Sequence, residues 1–224
     1  MEKAKIREIF LSIQGEGPHV GEQHLFIRFC CCNLNCDYCD TDFDMSRSKE
    51  YSPDELIDIV NSYGKNLVLS LTGGEPLVSV DFLKEFLPLA RDNGHTIYLE
   101  TNGTLPDKLG EIIDFVDIVS ADIKIESAVG QNIPLSIIDD CFYIASKKET
   151  FAKIVFDNNI KDEEIDNVVS VAKKYDIDLI LQPKMTDDKF AVSTDFCEKI
   201  FRKFILKYRK TRLIPQLHKF LNVR

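Results

Sequence analysis

Hydrophobic positions along the 224-residue chain recur with two periods that take turns. Short β-rich runs read as strands: Lys5–Ser12, His24–Cys30, Leu67–Leu71, Thr96–Glu100, Val116–Ala121, Phe151–Phe156 and Ile177–Leu181. Between them the apolar spacing widens to helical steps. Ser52, Pro53 and Glu55 open a helix with a capping box and a proline in the first turn; Ile57 and Val60 continue its apolar face. Phe82, Leu83, Phe86 and Leu87 share one side of a helix from about Val80. Pro88 is expected to end or kink it, and Asn93-Gly94 to stop it. Pro106–Ile113, Lys161–Tyr175 and Thr194–Tyr208 are further helices. Ile165, Val168, Val169 and Ala172 face inward on the second of these, and Phe196, Ile200, Phe204 and Tyr208 on the third. The tail from Arg212 begins as a strand.

Strands alternating with helices imply βαβ units around a parallel sheet. About six such units fall short of the eight of a closed barrel. The expected fold is therefore α/β, a partial, open βα barrel, with one domain over residues 1–224. The polar, glycine-rich segments "QGEGP", "TGGEP", "TNGT", "DIK" and "QPK" all follow strands. They are expected at the C-terminal rim of the sheet, where barrels and open α/β sheets hold ligands.

Composition narrows the function. A hydrophobic share of 44% suits a sizeable core, and a net charge of -9 argues against a nonspecific nucleic-acid binder. Six Lys/Arg between Phe201 and Arg212 read as the solvated face of a helix. The start, "MEKAKIREIF", lacks the apolar core of a signal peptide, and no apolar run reaches the ~18 residues of a membrane span. The expectation is a cytoplasmic protein with reduced thiols and no membrane or direct nucleic-acid partner. His19, His24 and His95 read as surface or loop residues.

Five of the seven cysteines lie between Cys30 and Cys39. Crowding of that kind points to metal or redox chemistry rather than a disulfide framework. Cys32, Cys36 and Cys39 form C-x-x-x-C-x-x-C. Iron–sulfur clusters usually take four thiolates, so three leave one iron open to another ligand. Structural zinc wants four protein ligands, usually in two spaced pairs, and a second pair is missing from the sequence. An electron-transfer cluster or a zinc module would need a fourth thiolate, which Cys30 or Cys31 could supply. Cys141 and Cys197 are isolated and read as core residues.

The triad has Tyr38 just before its last cysteine, and Gly73-Gly74-Glu75-Pro76 closes the next strand. This combination resembles the radical S-adenosylmethionine (SAM) superfamily. The resemblance implies a [4Fe–4S] cluster on Cys32, Cys36 and Cys39, with SAM on the open iron and a 5′-deoxyadenosyl radical formed by its reductive cleavage. The glycines would let the backbone approach SAM, and Glu75 would support their loop.

Further motifs narrow the likeness: Gln14–Gly17 ("QGEG"), Arg28 four residues before Cys32, Asp40-Thr41 completing "CDT", Glu100–Thr104 ("ETNGT"), Asp122–Lys124, Gln182-Pro183 and the terminal "PQLHKFLNVR". From Ile9 to Arg224 this set resembles the 7-carboxy-7-deazaguanine synthase family. The resemblance implies conversion of 6-carboxy-5,6,7,8-tetrahydropterin to 7-carboxy-7-deazaguanine with loss of ammonia. It also implies a Mg2+ ion, an electron donor such as flavodoxin or ferredoxin, and a homodimer. Ile13, Gln14, Gly15, Glu16, Arg28, Thr101, His218 and Arg224 would bind substrate, and Thr41 would bind Mg2+. SAM would be held by Tyr38, Asp40, Gly73, Gly74, Glu75, Gly103, Asp122, Lys124 and Gln182. The roles make chemical sense. Gln14 and Glu16 supply donors and acceptors for a pyrimidine edge, Arg28 a fork for a carboxylate, and Thr41 a hard oxygen.

The chain departs from the family pattern at Cys31, where glycine is usual, and at Tyr38, where tryptophan is frequent. The "DIK" segment matches one branch only. The competing reading is a glycyl-radical-enzyme activase, which shares the cluster and SAM but has no need of Q-G-E-G with Arg28.

Overall fold

The computed structural model describes residues 2–36, 48–186 and 189–223. Cys39, Tyr38, Asp40, Thr41 and Arg224 therefore lie outside the described residues. The chain opens with β1 (Ala4–Ile13), β2 (Gln23–Phe29) and β3 (Lys49–Tyr51), followed by α1 (Pro53–Tyr63). Strand and helix then alternate: β4 (Val68–Gly73), α2 (Val80–Asp92), β5 (Thr96–Thr101), α3 (Pro106–Ile112) and β6 (Ile118–Asp122). Next come α4 (Glu126–Val129), α5 (Leu135–Ala145), β7 (Glu149–Phe156), α6 (Asp162–Tyr175) and β8 (Asp178–Pro183). A small hairpin of β9 (Met185–Thr186) and β10 (Lys189–Phe190) precedes α7 (Thr194–Lys207), β11 (Thr211–Leu213) and α8 (Leu217–Leu221).

One nine-stranded sheet runs in the order β11-β8-β7-β6-β5-β4-β2-β1-β3. From β2 to β11 every neighbouring pair is parallel. β1 is antiparallel to both β2 and β3. The sheet keeps two edges, β3 and β11, so it is the open, partial barrel expected. Helices cover one face, and the main core lies between them and the sheet, around Leu71, Phe86, Leu99, Phe142 and Phe204. No described helix is long and apolar enough to cross a membrane.

Local signals act as read at most ends. Ser52 accepts from the Glu55 N–H while the Glu55 side chain accepts from the Ser52 N–H, closing the capping box of α1. Gly94 turns the chain after α2 at φ +82°. Pro88, however, sits inside α2, which runs on to Asp92. Burial of Phe82, Leu83, Phe86, Leu87 and Ala90 along one side outweighs the single hydrogen bond that proline removes. The strand expected from Val116 begins two residues later.

His24 and His95 correct the surface reading. His24 is fully buried, with Nδ1 2.7 Å from the Ser70 hydroxyl. His95 is buried, and its Nδ1 accepts the Leu67 N–H while Nε2 meets the Asn61 side chain. Burial lowers both pKa values, so each ring serves as a neutral hydrogen-bonding spacer. His19 is half-buried in the loop, between Glu22 and Glu149.

A second correction concerns "QGEGP". Because β1 is antiparallel to β2, its end at Ile13 lies opposite Gln23, the beginning of β2. The loop therefore starts at the N-terminal side of the parallel strands, not at their C-terminal rim.

Candidate active site in the sheet interior

Alternation along the parallel strands sorts their side chains. Leu69 and Leu71 of β4, Ile97 and Leu99 of β5, Ala152 and Ile154 of β7, and Leu179 and Leu181 of β8 join the main core. The opposite parity faces the hollow of the sheet. It begins apolar, with Tyr98, Ile118, Phe151 and Ile180 as a second cluster. Two residues further along the same strands it becomes polar. Thr72, Glu100, Ser120, Asp122, Lys153 and Gln182, with Arg28 of β2, line a cavity of about 230 Å³.

The Q-G-E-G loop enters this cavity from the side. Ile13, Gln14, Gly15 and Glu16 all line it. Gln14 is buried; its Nε2 donates to Glu100 (3.3 Å) and its Oε1 accepts the Glu16 N–H (3.1 Å). Glu16 pairs with Lys153 and accepts from Gln216 Nε2 at 2.8 Å. Burial alone would raise its carboxyl. The Lys153 charge and the hydrogen bonds of Lys153 and Gln216 outweigh that and hold it at about 2. Burial likewise pulls the Lys153 ammonium down, but Asp122, Glu16 and Glu100 hold it well above its ordinary value. The C-terminal segment closes over the loop: the Leu217 N–H donates to the Gly15 carbonyl at 2.8 Å, and a Cβ on Gly15 would fall 2.4 Å from His218 Nδ1. Arg28 sits 3.4 Å from Glu8 and over the Phe10 ring, with its side chain 29% exposed on the cavity wall. Arg28 thus pairs with a carboxylate of β1 and still faces the cavity.

Cys32 and Cys36 line the same cavity. The Leu34 N–H donates to Cys32 Sγ at 3.4 Å, and Asn102 Nδ2 lies 3.9 Å from it. Thiols on one loop, with donors aimed at sulfur, suit an iron–sulfur cluster. Cys30 and Cys31 do other work. Cys30 is buried at the end of β2, and burial raises its thiol pKa. The Cys31 carbonyl accepts the Glu75 N–H at 2.7 Å.

That contact gives the glycines a task within the chain itself. A Cβ on Gly74 would meet the Cys31 carbonyl at 2.1 Å, and one on Gly73 (φ +105°) the Phe29 carbonyl at 2.4 Å. Both glycines line the cavity, yet their close approach is to the cysteine loop's own backbone. Glu75 is 1% exposed and faces away from the cavity lining. It accepts from Leu77 N–H, Asn102 N–H and the Thr101 hydroxyl, so it fastens the "TNG" turn. Gly103, at φ +74°, packs on the Asp122 carbonyl rather than on the cavity. Thr101 does line it.

At the far wall, Lys124 pairs with Asp122 at 2.6 Å, both side chains being largely buried. Gln182 is 2% exposed, and its Nε2 has no hydrogen-bond partner among the described residues. An orphaned buried amide on a cavity wall suits a polar ligand there. His218 lines the opposite side. Lys153, Glu100, Gln216 and Thr72 were not singled out from the sequence. The usable signal was parity: each strand residue among them is polar directly after an apolar core residue, Leu71, Leu99 or Ala152.

A model of the radical SAM superfamily matches residues 26–129. The crystal structure of QueE from Escherichia coli superposes with a TM-score of 0.65 at 18% identity, covering 96% of this chain and 95% of that one. A structure of TYW1 with a lysine-pyruvate adduct bound superposes at 0.57 and 16% identity, covering 81% and 73%. An open parallel sheet with a cysteine loop on its cavity is the architecture of a radical SAM protein, a class that works with a [4Fe–4S] cluster and SAM. The chain is 33% identical over 244 residues to the 7-carboxy-7-deazaguanine synthase of Geobacter sulfurreducens, covering 97% of both chains. It is 33% identical over 238 residues to that of Archaeoglobus fulgidus, covering 99% of this chain and 100% of the other. It belongs to the 7-carboxy-7-deazaguanine synthase family.

Proposed function

We propose that the chain converts 6-carboxy-5,6,7,8-tetrahydropterin to 7-carboxy-7-deazaguanine with loss of ammonia, in the queuosine branch of tRNA modification or a related deazapurine route. The carrying observation is that the Q-G-E-G loop, Arg28 and the thiols of Cys32 and Cys36 share one cavity. Family membership favours this reading over a glycyl-radical activase.

Cys32, Cys36 and Cys39 would hold the cluster. The cluster and SAM, when bound, supply one-electron reduction and hydrogen abstraction at the substrate's C6. The chain's own residues bind and orient. Arg28 offers its guanidinium to the substrate carboxylate. Gln14 and Glu16, with Ile13 and Gly15 beside them, present acceptors and a donor to the pyrimidine edge. Thr101, His218 and Arg224 complete the substrate contacts. Asp122 and Lys124 suit the hydroxyls and carboxylate of SAM, and the orphaned Gln182 amide its adenine. Gly73 and Gly74 leave room beside it; Tyr38 and Asp40 flank the last thiol. Glu75 and Gly103 contribute through loop shape. Mg2+ would take Thr41 and substrate oxygens. A cytoplasmic homodimer fed by flavodoxin or ferredoxin completes the proposal.

The test is anaerobic reconstitution with iron and sulfide, then SAM, reductant and 6-carboxytetrahydropterin, with mass analysis of products. Formation of 7-carboxy-7-deazaguanine is expected. Unchanged pterin with accumulating 5′-deoxyadenosine would overturn the reading.

A further inference from the structure

Lys153 is the one lysine of β7 that the sheet turns into the hollow, between Phe151 below and Val155 above. Burying an ammonium costs several kcal/mol unless partners compensate. Its partners come from two separate places. Glu16 stands on the loop after β1, and Asp122, 3.6 Å away, ends β6 beside Lys124. Glu100 of β5 adds its field from the cavity floor.

We propose that Lys153 is a positioning residue that ties the substrate end of the cavity to its SAM end, acting on substrate through Glu16. This rests on the function proposed above. The Glu16 carboxylate has two anchors: Lys153 on one oxygen and Gln216 on the other. With both in place, the carboxylate is ionised and fixed in direction. Without Lys153, the carboxylates of Glu16, Glu100 and Asp122 lose the ammonium that stands among all three. One of them then takes up a proton or turns away, and Glu16, left with the Gln216 amide and the weaker field of His218, is the one that loses its nearest cation. The acceptor offered to a pyrimidine edge changes, while Cys32 and Cys36 should keep their place, since the ion pairs of Lys153 are with Glu16 and Asp122.

The test is a double-mutant cycle in reconstituted enzyme: wild type, Lys153→Met, Glu16→Gln and the pair. Iron content and circular dichroism are read first; if Lys153→Met loses either, the cycle is run with Lys153→Gln. The expected result is a rise of about tenfold or more in KM for the pterin on removing Lys153, with a smaller change in kcat. In the Glu16→Gln background the same substitution should add less than about threefold, because its route of action is already gone. An unchanged KM in an otherwise active wild-type background overturns the inference, as does an equal fold-change in both backgrounds. A wild-type chain that leaves the pterin intact overturns the proposed function itself and the inference with it.

Discussion

Glu75 is buried and accepts hydrogen bonds from two backbone N–H groups and the Thr101 hydroxyl. Burial pushes its carboxyl up to about 7 despite those donors. A folded-state pKa above the ordinary 4.5 means that, between the two values, the folded chain holds a proton the unfolded chain has released. Stability from this group is therefore full below pH 4.5 and declines as pH rises toward 7, by on the order of 3 kcal/mol. Glu75→Gln abolishes the titration but turns an amide N–H toward donors, a loss of about 1 kcal/mol. The variant should trail wild type by about 1 kcal/mol at pH 5 and exceed it by about 2 kcal/mol at pH 8, as read from denaturant unfolding at each pH. The residue's support of its loop was legible in the sequence; its direction was not, because a GGEP turn does not reveal which neighbour its carboxylate will meet. Lys153 shows the same limit. A lysine inside an apolar strand reads as a solvent-facing position, since a half-exposed strand and the wall of a filled hollow share one alternation. Cys32 and Cys36, by contrast, stood out as candidates because residue type and spacing within one short loop are local signals, and both line the cavity.

Two loops that carry glycine for close approach should fail differently when changed. Gly74→Ala places a methyl 2.1 Å from the Cys31 carbonyl, a backbone atom that cannot swing aside. The cysteine loop must move, and its thiols with it. Iron uptake on reconstitution is expected to fall several-fold, measured as iron and labile sulfide per chain. Gly15→Ala meets a side chain instead, the His218 ring at 2.4 Å. Here α8 yields while the cysteine loop is untouched. Iron content should stay normal and KM for the pterin rise about tenfold. Equal loss of iron in both variants would refute the division of labour. The elements themselves were largely legible, since strand runs and capping signals are local. α5 was missed although Ile138, Cys141, Phe142 and Ala145 give a helical stripe. It has no side-chain N-cap bond and follows Pro134, so no start signal announces it. The placement of the Q-G-E-G loop was also beyond local reading, because the direction of β1 is fixed only by its pairing with β2.

For the molecule as a whole, an open barrel leaves a gap that a closed one lacks. The sheet ends at β3 and β11, and the segment after β11 turns back to meet the Q-G-E-G loop through Leu217 and Gly15. Gln216 and His218 thereby reach the cavity from outside the sheet. This closure costs the core little, because α8 contains no buried residue. Its hold includes the backbone bond to Gly15, the Gln216–Glu16 bond and a ring contact of 5.6 Å between Phe220 and Phe190. A chain ending at Pro215 should therefore keep its fold and its iron. Denaturant unfolding is expected to shift by no more than about 1 kcal/mol, the scale of surface contacts. Substrate handling should not survive so well. With Gln216 gone Glu16 loses one of its two anchors, and with His218 gone the cavity opens beside Gly15. KM for 6-carboxytetrahydropterin should rise at least tenfold, and 5′-deoxyadenosine should appear in excess over deazaguanine. A truncated chain that couples SAM turnover to product as tightly as the full chain would show that the site is complete within the sheet.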